Sequence, residues 1–226
     1  MSSTYERRRL VAPLIAIAAL IYWFAVRPWH LRWGATDEES NGSLPGDGLL
    51  RDPESEVTHA VTIDAPVEEV WPWLVQIGQG RGGFYSYDWL ENLVGADIHN
   101  ADRILPAHQD LEVGDTVHLA PEDYSVQTPE SAPEVAVLDP ERAIVLQPPG
   151  ESPRWTWAFV LRPLDDETTR FVARMRSHGK QDIAGRAADV LFWEPAHFVM
   201  ERKMLLGVKE RAESSKYGTR KNVNRA

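Results

Sequence analysis

The spacing of apolar residues changes several times along the chain, and each change predicts an element. Val57 to Ile63 alternates enough to predict a first strand. Val67, Val70, Trp71, Leu74 and Val75 then recur at helical spacing, preceded by Asp64-Ala65-Pro66 and followed at once by Glu68 and Glu69. That is a helix start: a cap acceptor, a proline where no backbone donor is needed, and carboxylates at the positive end of the dipole. Pro72 lies inside the pattern and predicts a bend. A second helix is expected from about Ser86 to Val94, with Ser86 as cap and Trp89, Leu90 and Leu93 on its apolar side. Strand patterns follow at 116–119, 124–128, 134–138, 143–147, 154–161 and 169–177. Trp155, Trp157, Phe159 and Leu161 share one parity; Phe171, Ala173 and Met175 alternate with Arg170, Arg174 and Arg176. The last predicted helix runs from about Pro195 to Ser214, with an apolar stripe through Phe198, Val199, Leu205, Leu206, Val208 and Ala212.

The ends of the chain lack these patterns. An uncharged apolar run from Leu10 to Val26, flanked by Arg7, Arg8 and Arg9 and then by Arg27, Trp29, His30, Arg32 and Trp33, predicts a single membrane helix with aromatic and arginine anchors. A cleaved signal peptide ranks lower because no small-x-small site follows, and Arg7-Arg8 is a weak twin-arginine signal. The charge balance across the run favours a domain on the outer side of a cell membrane. Residues 34–56, rich in acids, Gly, Pro and Ser, read as an acidic linker along a surface, with Leu44, Leu49 and Leu50 available to pin it. Residues 1–33 are thus expected as anchor, 57–214 as one domain, and 215–226 as a disordered basic tail.

Composition narrows the function. A net charge of −10 excludes a general nucleic-acid surface, and the absence of cysteine removes disulfides, thiol catalysis and thiolate metal sites. Seven scattered histidines without an HExxH pair predict no metal, and nothing calls for a cofactor. No nucleophile elbow is present.

Candidate chemistry concentrates in Val67–Gly95. This stretch sets Trp71, Trp73, Phe84, Tyr85, Tyr87 and Trp89 around Gly78, Gly80, Gly82 and Gly83. The glycine run follows a helix rather than a strand, so it is no dinucleotide loop; it predicts close backbone approach with Arg81 as a fixed charge. Asp88 and Glu91, three apart on a helix, are neighbours able to raise one another's pKa, and with Tyr85 and Tyr87 they are the candidate proton-transfer groups. The plain reading of the same residues is solvated carboxylates paired with Arg81 or Arg103, and tyrosines satisfying their hydroxyls in a core. Arg170, Arg174 and Arg176 suit either an anionic head group or an exposed strand face. The polar stretch 95–110 is a candidate lid.

The segments HAVTIDAPVEEVWPWLVQIGQGRGGFYSYDWLEN, LEVGDTVHLA, RWTWAFVLRPLDDETTRFVARMR and FVMERKMLLGVKERAE resemble the SRPBCC superfamily, the START, Bet v 1 and polyketide-cyclase-like group, in its bacterial and archaeal branch with an N-terminal membrane segment. The resemblance spans about Glu54 to Glu213 and implies an α+β helix-grip fold, a curved antiparallel sheet wrapped around a long C-terminal helix. It implies a hydrophobic or amphipathic small molecule, lipid-like, bound between sheet and helix by Trp73, Arg81, Phe84, Tyr85, Tyr87, Trp155, Trp157, Phe159 and Met200. The alternatives are a cyclase, aromatase or hydrolase using Tyr85, Tyr87, Asp88 or Glu91 at the cavity mouth, and a ligand-free module whose cavity has collapsed. The superfold hosts many functions, so the resemblance speaks to architecture first. It leaves the oligomeric state open.

Overall fold

The computed structural model describes residues 13–14, 16–124, 128–150, 152–179 and 182–223. Five strands, β1 (Ser55–Ile63), β2 (Glu134–Asp139), β3 (Ala143–Gln147), β4 (Trp155–Asp165) and β5 (Thr168–Ser177), form one antiparallel sheet in the order β1-β5-β4-β3-β2. Four of them make a meander in chain order, and β1 closes on the far side of β5. Alternation along each strand sends Val57, His59, Val61 and Ile63 of β1, Trp157, Phe159 and Leu161 of β4, and Phe171, Ala173 and Met175 of β5 to the concave face. Across that face lies the long helix whose fully buried Leu205, Val208 and Ala212 recur at helical spacing. The architecture is α+β and helix-grip, as the strand and helix patterns imply.

Four helices frame this core: α1 (residues 16–31), α2 (Asp37–Asn41), α3 (Val67–Val75) and α4 (Asp88–Leu93). After β5, α5 (Ile183–Ala188) runs through a wide π turn at Asp189–Trp193 directly into α6 (Glu194–Val223). The helix therefore continues through residues expected as a disordered tail. Once a helix is anchored by packing, each added residue costs little, and lysines and arginines suit its C-terminal end. The expected strands at 116–119 and 124–128 are not strands. Thr116 makes a single bridge to Glu134, Pro121–Tyr124 forms a turn, and Ser125–Gln127 lie outside the described residues.

The loop after α3 closes through reciprocal Gly78–Gly83 backbone bonds of 3.0 Å, a tight hairpin with Arg81 at its tip. Gly83 has φ +75°, and a Cβ there would stand 2.6 Å from Asn100 Oδ1, so glycine is required on both counts. Gly207 is a second close approach: a Cβ on this turn of α6 would lie 2.3 Å from the backbone oxygen of Tyr85, itself held at φ +58°. Gly207→Ala should therefore cost about 1–3 kcal/mol by overpacking despite the better helix propensity of alanine, read as a shift in the urea unfolding midpoint. A neutral or stabilising change would mean that the loop yields freely.

On the convex face, residues 34–54 form an ordered cover. Leu44 and Leu50 are buried, and Leu44 packs with Ala60, Ala143, Val145, Ala158, Val160 and Val172. The three arginines of β5 hold the cover down. Arg170 makes a two-pronged pair with Glu39 at 2.7 Å, and Arg174 bonds Asp47, the carbonyls of Gly42, Ser40 and Glu39, and the Thr58 hydroxyl. Arg176 reaches Glu56 at 3.0 Å. These guanidiniums are committed within the chain, so the head-group reading of that face is withdrawn.

At the N-terminus, α1 widens into a π turn at Tyr22–Val26 that faces the π turn before α6. Tyr22 donates its hydroxyl to the Val190 carbonyl at 2.6 Å, and Arg27 forks onto Glu194 with two 2.8 Å bonds. Among the described residues no helix is long and apolar enough to cross a membrane. The expected span begins at Leu10, and Leu10–Ala12 and Ile15 lie outside the described residues. Within the run Tyr22 is hydrogen-bonded to the domain, and Arg27, just after it, pairs with Glu194.

Candidate functional site

Two hollows meet at one histidine. The larger is a cleft of about 890 Å³ between α1, the π turn Asp189–Trp193 and the ends of β1, β4 and β5. Its apolar walls come from Trp23, Val57, Trp155, Met175 and Trp193, and its charged rim from Arg27, Arg154, Arg186, Glu54 and Glu194. The smaller, about 190 Å³, lies between the sheet and α6 and is walled by Phe84, Leu119, Trp157, Met200 and Met204 with Glu91, Glu201 and His197. His197 lines both.

The polar floor is built from β1 and α6. His59 sits at an inward position of β1 and is fully buried, as is the Glu201 side chain opposite. His59 Nδ1 and Glu201 Oε2 are hydrogen-bonded, and His59 Nε2 meets the His30 carbonyl at 2.7 Å. Both His59 partners are oxygens, and the carbonyl can only accept, so the His59–Glu201 contact holds one proton between the two side chains. The Trp157 indole N–H donates to Glu201 Oε1 at 2.6 Å. One turn earlier on α6, His197 Nε2 stands 3.4 Å from Glu201 Oε2, close enough to pair but without a hydrogen bond's geometry, and its side chain is 26% exposed. Burial disfavours the Glu201 carboxylate, but His197 and His59 outweigh it and hold the group below the ordinary carboxylate range. Burial likewise disfavours protonated His197, and the Glu201 charge outweighs that, raising it above an ordinary histidine.

Glu91 enters the small cavity from α4. Ser86 donates to its Oε1 at 2.8 Å, while Oε2 is buried without a hydrogen-bond partner. Burial raises its pKa, Ser86 opposes this, and Asp88 adds to it.

Of the four candidate proton-transfer residues, Glu91 alone lines either of these two hollows. Tyr85 is a core residue: its hydroxyl donates to the Trp73 carbonyl at 3.0 Å, Arg211 lies over its ring, and burial raises its pKa. Tyr87 is the residue before α4 and lies under Lys203, and Asp88 accepts the Trp89 backbone N–H. The four do not converge: Tyr85 is buried in the core, and Tyr87 and Asp88 line neither hollow. Among the ligand-binding candidates, Phe84, Trp157 and Met200 line the small cavity and Trp155 the cleft. Trp73 and Phe159 are core, and Arg81 is tied to the Val75 and His108 carbonyls, away from both hollows. The expected lid is pinned instead: Asn100 bonds Tyr85 and Ser86, Ala101 bonds Gly82, and Ile98 is buried. Ser86 bonds Glu91 rather than capping α4, and Trp89, Leu90 and Leu93 face outward. His59, His197 and Glu201 were missed by the spacing of motifs. The signal was their position: polar residues at inward parity in β1 and on the buried face of α6.

No family model matches the sequence, and no curated protein does. Solved structures similar to the chain include the Zhui aromatase/cyclase from Streptomyces sp. R1128, 19% identical over 70% of this chain and 93% of that one, with a TM-score of 0.38. A polyketide-cyclase-like protein from Corynebacterium glutamicum is 15% identical over 70% and 87%, with a TM-score of 0.32. The Aha1 dimer from Colwellia psychrerythraea is 19% identical over 71% and 97%, with a TM-score of 0.35. Likenesses at this level say nothing about substrate. The helix-grip architecture rests on the sheet order and the helix packed across it.

Proposed function

We propose that this protein, on an SRPBCC-type helix-grip scaffold, binds an amphipathic, lipid-like small molecule whose apolar part lies in the cleft between α1 and the sheet. The observation that supports this most is the cleft itself: about 890 Å³, walled by tryptophans and rimmed by arginines, within the ~300–1,000 Å³ typical of small-molecule sites. The small cavity alone, at about 190 Å³, falls below that range and suits a head group. The same reading places the protein at a membrane. Ile17, Leu20, Ile21 and Phe24 on α1 are more than half exposed, as are Leu191, Phe192 and Trp193 beside the cleft, and such a surface suits a lipid interface.

Native mass spectrometry of the full chain, released from detergent and then denatured, tests this. A co-purified amphiphile is expected, and Trp155→Ala together with Trp193→Ala should lower its occupancy at least about tenfold, since aromatic walls dominate such affinities. An empty wild-type protein that also fails to take up added lipids from vesicles would end the reading.

A further inference from the structure

Binding alone leaves the polar floor of the small cavity without a task. We infer that the cavity is a proton-transfer site, in which His197, positioned by Glu201, takes a proton from the carbon beside a ligand carbonyl while Glu91 gives one to the carbonyl oxygen. The ligand class is therefore a carbonyl-bearing amphiphile with a hydrogen on that carbon. This rests on the reading that an amphiphile occupies the cleft.

The geometry supplies three parts. His197 is the member of the buried chain His30 carbonyl, His59, Glu201, His197 that reaches both hollows, so a head group in the small cavity and a tail in the cleft would meet at its ring. Glu201 is fixed from two further sides, by Trp157 Nε1 and His59 Nδ1. A carboxylate so held orients the imidazole and stabilises the imidazolium that forms on proton uptake. Glu91 comes from a separate element on the same cavity, and its unpartnered Oε2 is costly as a carboxylate oxygen among Phe84, Trp157, Met200 and Met204. As an acid it has a proton to offer and no protein group to receive it.

The opposed pKa directions agree with this division of labour: Glu91 is raised toward the acid form and Glu201 lowered toward the carboxylate. Two carboxyl groups pushed apart on one cavity are the usual mark of an acid and a base side. The step balances without a co-reactant. The carbon–hydrogen bond breaks with its proton going to His197, its electron pair becomes the carbon–carbon double bond, and the carbonyl π pair goes to oxygen, which takes the Glu91 proton. The product is the enol, and reversal restores the ketone. Glu91 protonates the oxygen as charge develops there, so no oxyanion is left in the apolar cavity.

The test uses the full-length protein in D₂O with 2-decanone, a ketone of slow spontaneous exchange, and follows deuterium at the carbons flanking the carbonyl by NMR. Acceleration of at least about 100-fold over buffer is expected, the lower end of what general acid–base groups contribute. His197→Gln, which keeps polarity and size, and Glu91→Gln should each remove most of it. Glu68→Gln, altering an exposed carboxylate of α3 that lines neither hollow, should leave it unchanged. Saturable quenching of tryptophan fluorescence by 2-decanone with exchange at the buffer rate overturns the proton-transfer assignment and leaves binding standing. No quenching and no exchange overturns both. Acceleration that survives His197→Gln and Glu91→Gln places the chemistry elsewhere and overturns the assignment.

Discussion

Replacing Glu201 with alanine is expected to destabilise the fold by about 3–5 kcal/mol, the cost of leaving a buried partner charge uncompensated. Glu201 accepts from the Trp157 indole N–H, shares a proton with His59 Nδ1, and faces His197, so alanine removes the carboxylate from all three contacts at once. Glu201→Gln isolates the charge. The Glu201 pKa is depressed below its unfolded value of 4.5, so its contribution is complete above pH 4.5 and is lost as pH falls through the folded value. His197 is raised above 6.5, so its contribution is complete below pH 6.5 and is lost as pH rises through the folded value. The pair is worth most between pH 4.5 and 6.5. Buried His30, depressed by desolvation, weakens the fold as pH falls below 6.5 in both proteins alike, so the difference between them removes it. Urea unfolding at pH 5.5 and at pH 9 should show a larger gap between wild type and Glu201→Gln at the lower pH. An equal gap at both would mean that His197 carries no charge linked to Glu201.

Arg174→Leu should cost a similar amount, about 3–5 kcal/mol, on the opposite face of the sheet. The side chain is 2% exposed and serves Asp47, Thr58 and three backbone carbonyls of the cover; leucine fills part of the volume and takes this donor from all of them, leaving Asp47 only Leu44 N–H and Arg176. The loss is not confined to global stability. With the cover loosened, exposed Arg51 should become a preferred tryptic site, appearing in minutes where the wild type resists, because cleavage of a folded chain follows local opening. Unchanged proteolysis alongside a stability loss under about 1 kcal/mol would show that Arg170 and Leu44 hold the cover without it.

The sheet was legible in the sequence because its strands are short apolar or alternating runs bounded by turn residues. β3 matches its predicted range, β2 and β5 differ by one residue, and β4 runs on through Arg162–Asp165, where alternation fades into charge. Short elements were not. At 86–94 the helical period is present, yet the apolar residues face outward, since periodicity fixes which residues share a face and not which way that face turns. The arginines of β5 read as a free cationic strip because their partners lie more than a hundred positions earlier. The buried His59–Glu201 pair escaped for the same reason: the two are 142 positions apart, and no motif spacing joins them. What did mark them was incongruity, a histidine and a glutamate at positions where the pattern asks for valine or leucine.

The backbone where α1 ends also has a bearing on how copies of this chain behave together. β1 is an outer strand of the sheet, nine residues long, and the Trp33 carbonyl accepts the Ala60 backbone N–H from its open side at 3.1 Å, while the His30 carbonyl meets His59. An uncovered strand of that length is a template for pairing with another chain. The segment through Trp33 thus guards the open edge of β1 against self-association as well as walling the cleft, and a molecule trimmed ahead of Gly34 would carry a sticky margin into solution.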